Sequence, residues 1–115
     1  MDEKLNQRIR EILAVTPGIV ERKMFGGLCF MNQGNMICGC DARHGLFLRV
    51  GPENYDKILH LKHAHPMDLT GRPMKGFVFV KPEGYRTRAD LARWLRRALE
   101  FTTTLPPKPQ KVSNS

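Results

Sequence analysis

A two-layer α+β domain, with helices on one face of a mostly antiparallel sheet, is predicted by three observations. Apolar residues at helical spacing occupy both ends of residues 1–105. The stretch from Ile19 to Val50 breaks into short apolar runs separated by Gly- and Asn-bearing turns. A further strand-like run, Phe77–Val80, follows a short helix. The expected order is helix, a meander of three to four strands, helix, one to two strands, and a last helix.

Leu5, Ile9, Ile12 and Leu13 recur at i, i+4, i+7 and i+8, and Thr16-Pro17-Gly18 stops this first helix. Strands are expected over Val20–Phe25, Leu28–Met31, Asn35–Cys40 and Leu46–Val50. Gly26-Gly27, Asn32-Gln33-Gly34 and Asp41–Gly45 supply the tight turns. Pro52 and Glu53 suit a helix first turn, with Tyr55, Ile58, Leu59 and Leu61 as its apolar face. The prolines at 66 and 73 predict an irregular stretch before the strand Phe77–Val80 and a turn at Pro82-Glu83-Gly84. Thr87 is an N-cap candidate, and Leu91, Trp94, Leu95, Ala98 and Leu99 form the stripe of a long third helix. Residues 1–105 are read as the domain. Residues 106–115, rich in Pro, Lys and Ser, carry too little apolar surface to offset ordering entropy and are expected to form a flexible tail.

The 115 residues suit one domain, 41% of them hydrophobic and 26% charged, with no apolar run near the ~20 residues that cross a bilayer. Met1-Asp2-Glu3-Lys4 leads straight into the first helix without a signal-peptide pattern, so a cytoplasmic protein without membrane contact is expected. Three cysteines, an odd number, point to free thiols. With 19 Lys+Arg against 11 Asp+Glu, the formal charge of +8 favours anionic partners, either an acidic protein surface or nucleic acid.

No complete catalytic set is present, and no enzyme activity or cofactor is expected. The only serines are Ser113 and Ser115, and Asp41, Glu53, Asp56 and Asp68 are scattered. His60, His63 and His65 resemble a metal cluster. Catalytic metal sites usually draw ligands from separate rigid elements, and Lys62 brings a cation into the same segment, so we read these histidines as a solvated loop. Strand alternation puts Cys38 and Cys40 on one face with Gly39 opposite, which makes them core residues. Gly26 and Gly27 read as a turn or bulge. With Arg22 and Lys23 they are also candidates for holding an anion. Arg72 and Lys75 sit in a loop shaped by Gly71, Pro73 and Gly76 and are candidates for a recognition surface. Arg93, Arg96 and Arg97 share one side of the third helix, and Tyr55 and Tyr85 are the aromatics left over for base stacking.

Four segments carry a family resemblance: Arg22-Lys23-Met24-Phe25-Gly26-Gly27, Leu48-Arg49-Val50-Gly51-Pro52-Glu53, Gly71-Arg72-Pro73-Met74-Lys75-Gly76-Phe77 and Ala89-Asp90-Leu91-Ala92-Arg93-Trp94-Leu95. In this order they resemble the N-terminal domain of the TfoX/Sxy family of bacterial competence regulators, from about Leu5 to Leu105. The resemblance implies an α+β domain. It also implies a role in regulation, since full-length members look like transcriptional co-activators working with the cyclic-AMP receptor protein. Those members carry a second, helical C-terminal domain resembling helix-hairpin-helix modules, where this sequence has its Pro/Lys/Ser segment. The expectation is a stand-alone regulatory or protein-interaction module. The alternative is direct nucleic-acid binding through a basic face, and a metal or small-anion sensor is the weaker reading. A homodimer is expected through pairing of Leu46–Val50 or Phe77–Val80 as edge strands.

Overall fold

The computed structural model describes residues 3–24, 26–41, 43–68 and 71–108. Three helices and six strands follow in the order α1 (Glu3–Leu13), β1 (Ile19–Met24), β2 (Gly27–Asn32), β3 (Asn35–Asp41), β4 (Gly45–Arg49), α2 (Pro52–Leu59), β5 (Ala64–Asp68), β6 (Pro73–Val80) and α3 (Arg88–Thr102). A 3-10 turn, Pro82–Tyr85, leads into α3. The strands form one open sheet in the order β1-β2-β3-β4-β6-β5, antiparallel throughout. The first four strands are the predicted meander. The chain then crosses through α2 to the far edge, and β6 returns to fill the place between β4 and β5.

Three expectations change. The stretch expected to be irregular contains β5, and β6 starts at Pro73 rather than Phe77. Proline lacks an amide to donate, so it is confined to edge strands and strand starts. Pro66 lies on an edge strand and Pro73 opens β6, so both prolines are compatible with strand. The strands proposed for a homodimer, Leu46–Val50 and Phe77–Val80, belong to β4 and β6 and are interior to the sheet. The edges are β1 and β5. β1 carries Glu21, Arg22 and Lys23, and β5 carries Pro66 and a register irregularity, features that discourage edge pairing.

All three helices share one apolar cluster with one face of the sheet. Leu5, Ile9 and Leu13 of α1, Tyr55 and Ile58 of α2, and Leu91, Leu95 and Ala98 of α3 meet Leu28, Phe30, Cys38, Leu46, Leu48, Val78 and Val80. Thr87 caps α3 by accepting from the Asp90 amide at 3.0 Å. The Trp94 indole donates to the Gly84 carbonyl at 2.8 Å, and Arg8 of α1 donates to the Tyr85 carbonyl at 2.6 Å, so the 3-10 turn is tied to two helices. Of the expected tail, Pro106–Lys108 run along the β2–β3 turn. The Lys108 amide donates to Gln33 O at 2.7 Å and Asn35 Nδ2 to Pro106 O at 3.0 Å. The rest of the expected tail, residues 109–115, and Phe25 of the expected first strand lie outside the described residues.

The opposite face of the sheet is organised by one row of paired residues, Arg22–Cys29–Gly39–Phe47–Phe79–His65, which crosses all six strands. Gly39 makes room for its neighbour: a Cβ there would sit 2.5 Å from both the Phe47 Cζ and the Leu28 carbonyl oxygen. Farther along β3, one extra residue, Ile37, lies between the Phe30–Cys38 and Met31–Met36 pairs. Such a bulge resets the alternation. Ile37 joins Cys38 under the helices, and Met36 turns to the other face.

The Gly26-Gly27 pair is predicted to respond unequally to alanine. At Gly27 the added Cβ would lie 1.8 Å from the Cys40 carbonyl oxygen, within the backbone of a paired strand. Gly26 has φ +72 and open space around it. Gly27→Ala should cost at least about 3 kcal/mol through overpacking. Gly26→Ala should cost only the ~1–2 kcal/mol of a left-handed backbone. Urea unfolding of the two variants is the check, and equal losses would contradict this division.

Candidate functional site

The sheet face away from the helices is covered by its own side chains. Cys29, Phe47, Met67 and Phe79 are buried there, with Met24, Met31, Met36, Met74 and Phe77 packed around them. No described helix lies over this face. It forms a second apolar cluster beside the helix-side core, and cations border it.

The sequence-predicted site residues do not come together. Arg22 is exposed on this open face, in the Cys29 row, whereas Lys23 pairs with Leu28 and therefore points to the helix side. Gly26 turns the chain and Gly27 permits close strand approach, so both have structural reasons to be glycine. Arg72 and Lys75 are exposed near the start of β6. Arg93, Arg96 and Arg97 lie on α3, which packs over β3 and β4 on the helix side. Arg93 pairs with Asp90, and the Arg97 guanidinium lies 5.5 Å from the centroid of the Trp94 ring. Tyr55 and Tyr85, the aromatics expected to be available for base stacking, are instead buried in the helix-side core.

The three histidines also diverge. His60 Nδ1 bonds the Asp56 carbonyl at 2.7 Å, at the end of α2. His63 has φ +76, a left-handed turn against Gly84, while His65 points to the open face and lies against Phe79 with centroids 5.6 Å apart. Its real ring neighbourhood includes a residue that linear spacing did not suggest. His44 stacks on the same Phe79 ring at 4.6 Å. His44 is itself set by Asp41, whose Oδ1 accepts from the Arg43 amide at 2.7 Å and the His44 amide at 3.1 Å, with His44 Nδ1 at 3.2 Å. Burial acts to raise the Asp41 carboxyl, but these bonds and the nearby ring outweigh it and hold the group below its usual range. Only the β4–β6–β5 register could have revealed the His44–Phe79–His65 stack.

The thiols are unsuited to thiolate chemistry. All three are buried; desolvation pushes Cys29 up to about 11, and pushes Cys38 higher still, with Cys29 adding to that effect. Cys38 and Cys40 pack under the helices, as alternation predicts, and Cys29 packs on the other face.

Fold and surfaces together define a small α+β domain with one helix-covered and one self-covered sheet face, and no described helix is long and apolar enough to cross a membrane. The family model of the TfoX N-terminal domain matches residues 11–102, and the chain belongs to this family, which supports a regulatory module. No individual curated protein matches the chain.

Two outcomes follow. With Ellman's reagent, the folded protein should show no fast-reacting thiol, and all three should react in denaturant; a fast native thiol would contradict the packing. His65 titrates low because burial disfavours its imidazolium, with Lys81 and His44 adding to the effect. The unfolded chain therefore binds a proton near pH ~6.5 that the folded chain resists. Stability should fall as pH drops through that value, and His65→Gln should flatten the fall. Urea midpoints between pH 8 and 5.5 measure this, and an unchanged slope in the variant would contradict the assignment.

Proposed function

We propose that this domain is a regulatory protein-interaction module that acts by contact, without a catalytic step, and that the exposed side of α3 contacts an acidic protein surface. The carrying observation is the ridge of Arg93, Arg96 and Arg97 on a helix held at its start by the Thr87 cap and the Trp94–Gly84 bond. Asp90 offsets Arg93, and Arg97 is steadied against Trp94, so the cations are presented from a fixed backbone. Exposed ion pairs contribute only ~0.2–1 kcal/mol each, so such a ridge would set orientation and association rate more than affinity.

Support for protein over nucleic acid comes from the separation of the remaining cations. Arg22 and Lys23 leave β1 on opposite sides, and the tyrosines that could stack on bases are in the core. A non-catalytic reading is supported by buried thiols and by serines confined to positions 113 and 115.

The test pairs two measurements on wild type and an Arg93→Glu, Arg96→Glu, Arg97→Glu variant with matched thermal midpoints. Affinity purification should recover a protein that the variant loses. Fluorescence polarisation with labelled single- and double-stranded oligonucleotides should show no micromolar binding at ~0.15 M salt. Oligonucleotide binding that weakens steeply with salt and disappears in the variant would replace this reading with the nucleic-acid one.

A further inference from the structure

Beside the β1 edge, the open sheet face holds a groove of about 600 Å³, within the ~300–1,000 Å³ range of small-molecule sites. Its apolar lining is Met24, Met31, Met36, Val20 and Phe77. Val20 keeps 49% of its surface exposed, which is unusual for a large aliphatic side chain on this domain. The Ile37 bulge brings Met36 to this side, and the Pro106–Lys108 segment, bonded along the β2–β3 turn, brings Lys108 to the groove. Three cations line it, Arg22, Arg49 and Lys108, and no carboxylate does among the described residues. The Arg49 guanidinium lies between two rings, 5.7 Å from the Phe77 centroid and 5.6 Å from that of Phe101. Its guanidinium has no ion-pair partner among the described residues.

We propose that this groove binds a small amphipathic anion, a medium-chain aliphatic carboxylate, with the chain on the methionines and the carboxylate on Arg49 and Arg22. Charge complementarity selects the head group: three cations without a lining carboxylate repel a cationic ligand and leave a neutral one with unpaired donors. The floor selects the body, because flexible thioethers adapt to an unbranched chain. The same charges oppose occupancy by the basic surface of a second copy.

The test is NMR of protein labelled with 13C at the methionine methyls, titrated below micelle concentration with decanoate and, separately, with decyltrimethylammonium, which has the same tail and the opposite charge. Decanoate should shift Met24, Met31 and Met36 saturably, with little change at Met67 and Met74. The cation should bind at least tenfold more weakly. Arg22→Gln, at an exposed side chain with no part in the core, and Arg49→Gln should each weaken decanoate severalfold and, by removing a repelling charge, tighten the cation's binding. Absence of saturable shifts, equal affinity for both ions, or shifts at Met67 and Met74 equal to those at Met24, Met31 and Met36 would overturn the proposal. Movement of the three groove methyls on dilution alone would assign the face to a second copy. Movement on Val112→Glu, which replaces the one aliphatic residue of 109–115, would assign it to the chain's own end. Either result would also overturn it.

Discussion

All three helices lie on one side of the sheet, so the other side has to exclude water with the side chains of its own strands. Phe47 and Phe79, neighbours across β4 and β6, meet this requirement, each removing roughly 150–250 Å² from water. At ~25 cal/mol per Å² this is on the order of 4–6 kcal/mol per ring as an upper figure. Phe47 can lie against β3 only because Gly39 has no side chain where the ring crosses it. A residue of any larger size at 39 would lift the ring, part β3 from β4 and expose Cys29. The helix-side core would feel the same displacement, because Cys38 and Cys40 flank Gly39 on the same strand and pack beneath α1 and α3.

Methionine suits the border of such a face. Aromatic rings fill its centre, but the perimeter changes direction at the bulge, at the β2–β3 turn and along the twisted β1 edge. Unbranched thioethers follow that outline where branched side chains would leave gaps. The helix side has the opposite composition, with Leu, Ile and Val at regular spacing, because helices present fixed ridges that branched aliphatic groups fill well. The two faces of one sheet therefore differ in plasticity, and the adaptable one is the uncovered one.

Much of this architecture is legible in the sequence, and the failures have physical causes. Leu5, Ile9 and Leu13, and Leu91, Trp94, Leu95 and Ala98, show a helical period because each helix buries one stripe. The meander is legible from its turns. β5 is not, because Pro66 argues against strand unless its edge position is known, and strand order is a property of the whole sheet. Alternation places Cys38 and Cys40 together, but it gives no warning of Ile37, whose insertion moves Met36 to the open face. His60, His63 and His65 look like a cluster because they are close in sequence; a left-handed backbone at His63 separates them, and register gives His65 the ring of Phe79 and the company of His44. The basic residues fail as a set for the same kind of reason: adjacent positions on a strand, such as Arg22 and Lys23, face opposite ways.

Arg49 links the two sides of the molecule. Its guanidinium touches Phe77 on the open face and Phe101 at the end of α3, and Phe101 in turn lies so close to Gly51 that a Cβ there would fall 2.4 Å from the ring. Gly51 has φ +86 and shares with Val50 the carbonyl of Gly76, which binds the start of α2 to β6. An anion drawing on Arg49 therefore acts on a side chain whose other contact is the C-terminal turn of α3, the helix that carries Arg93, Arg96 and Arg97. The energetic effect of that contact is bounded by the difference in ligand affinity between arrangements of Arg49 with and without Phe101 beneath it. A cation–ring contact contributes ~0.5–1 kcal/mol at partly exposed sites, so the coupling it can carry is a few-fold in affinity. That magnitude suits adjustment of a regulatory contact and is too small for an on–off switch.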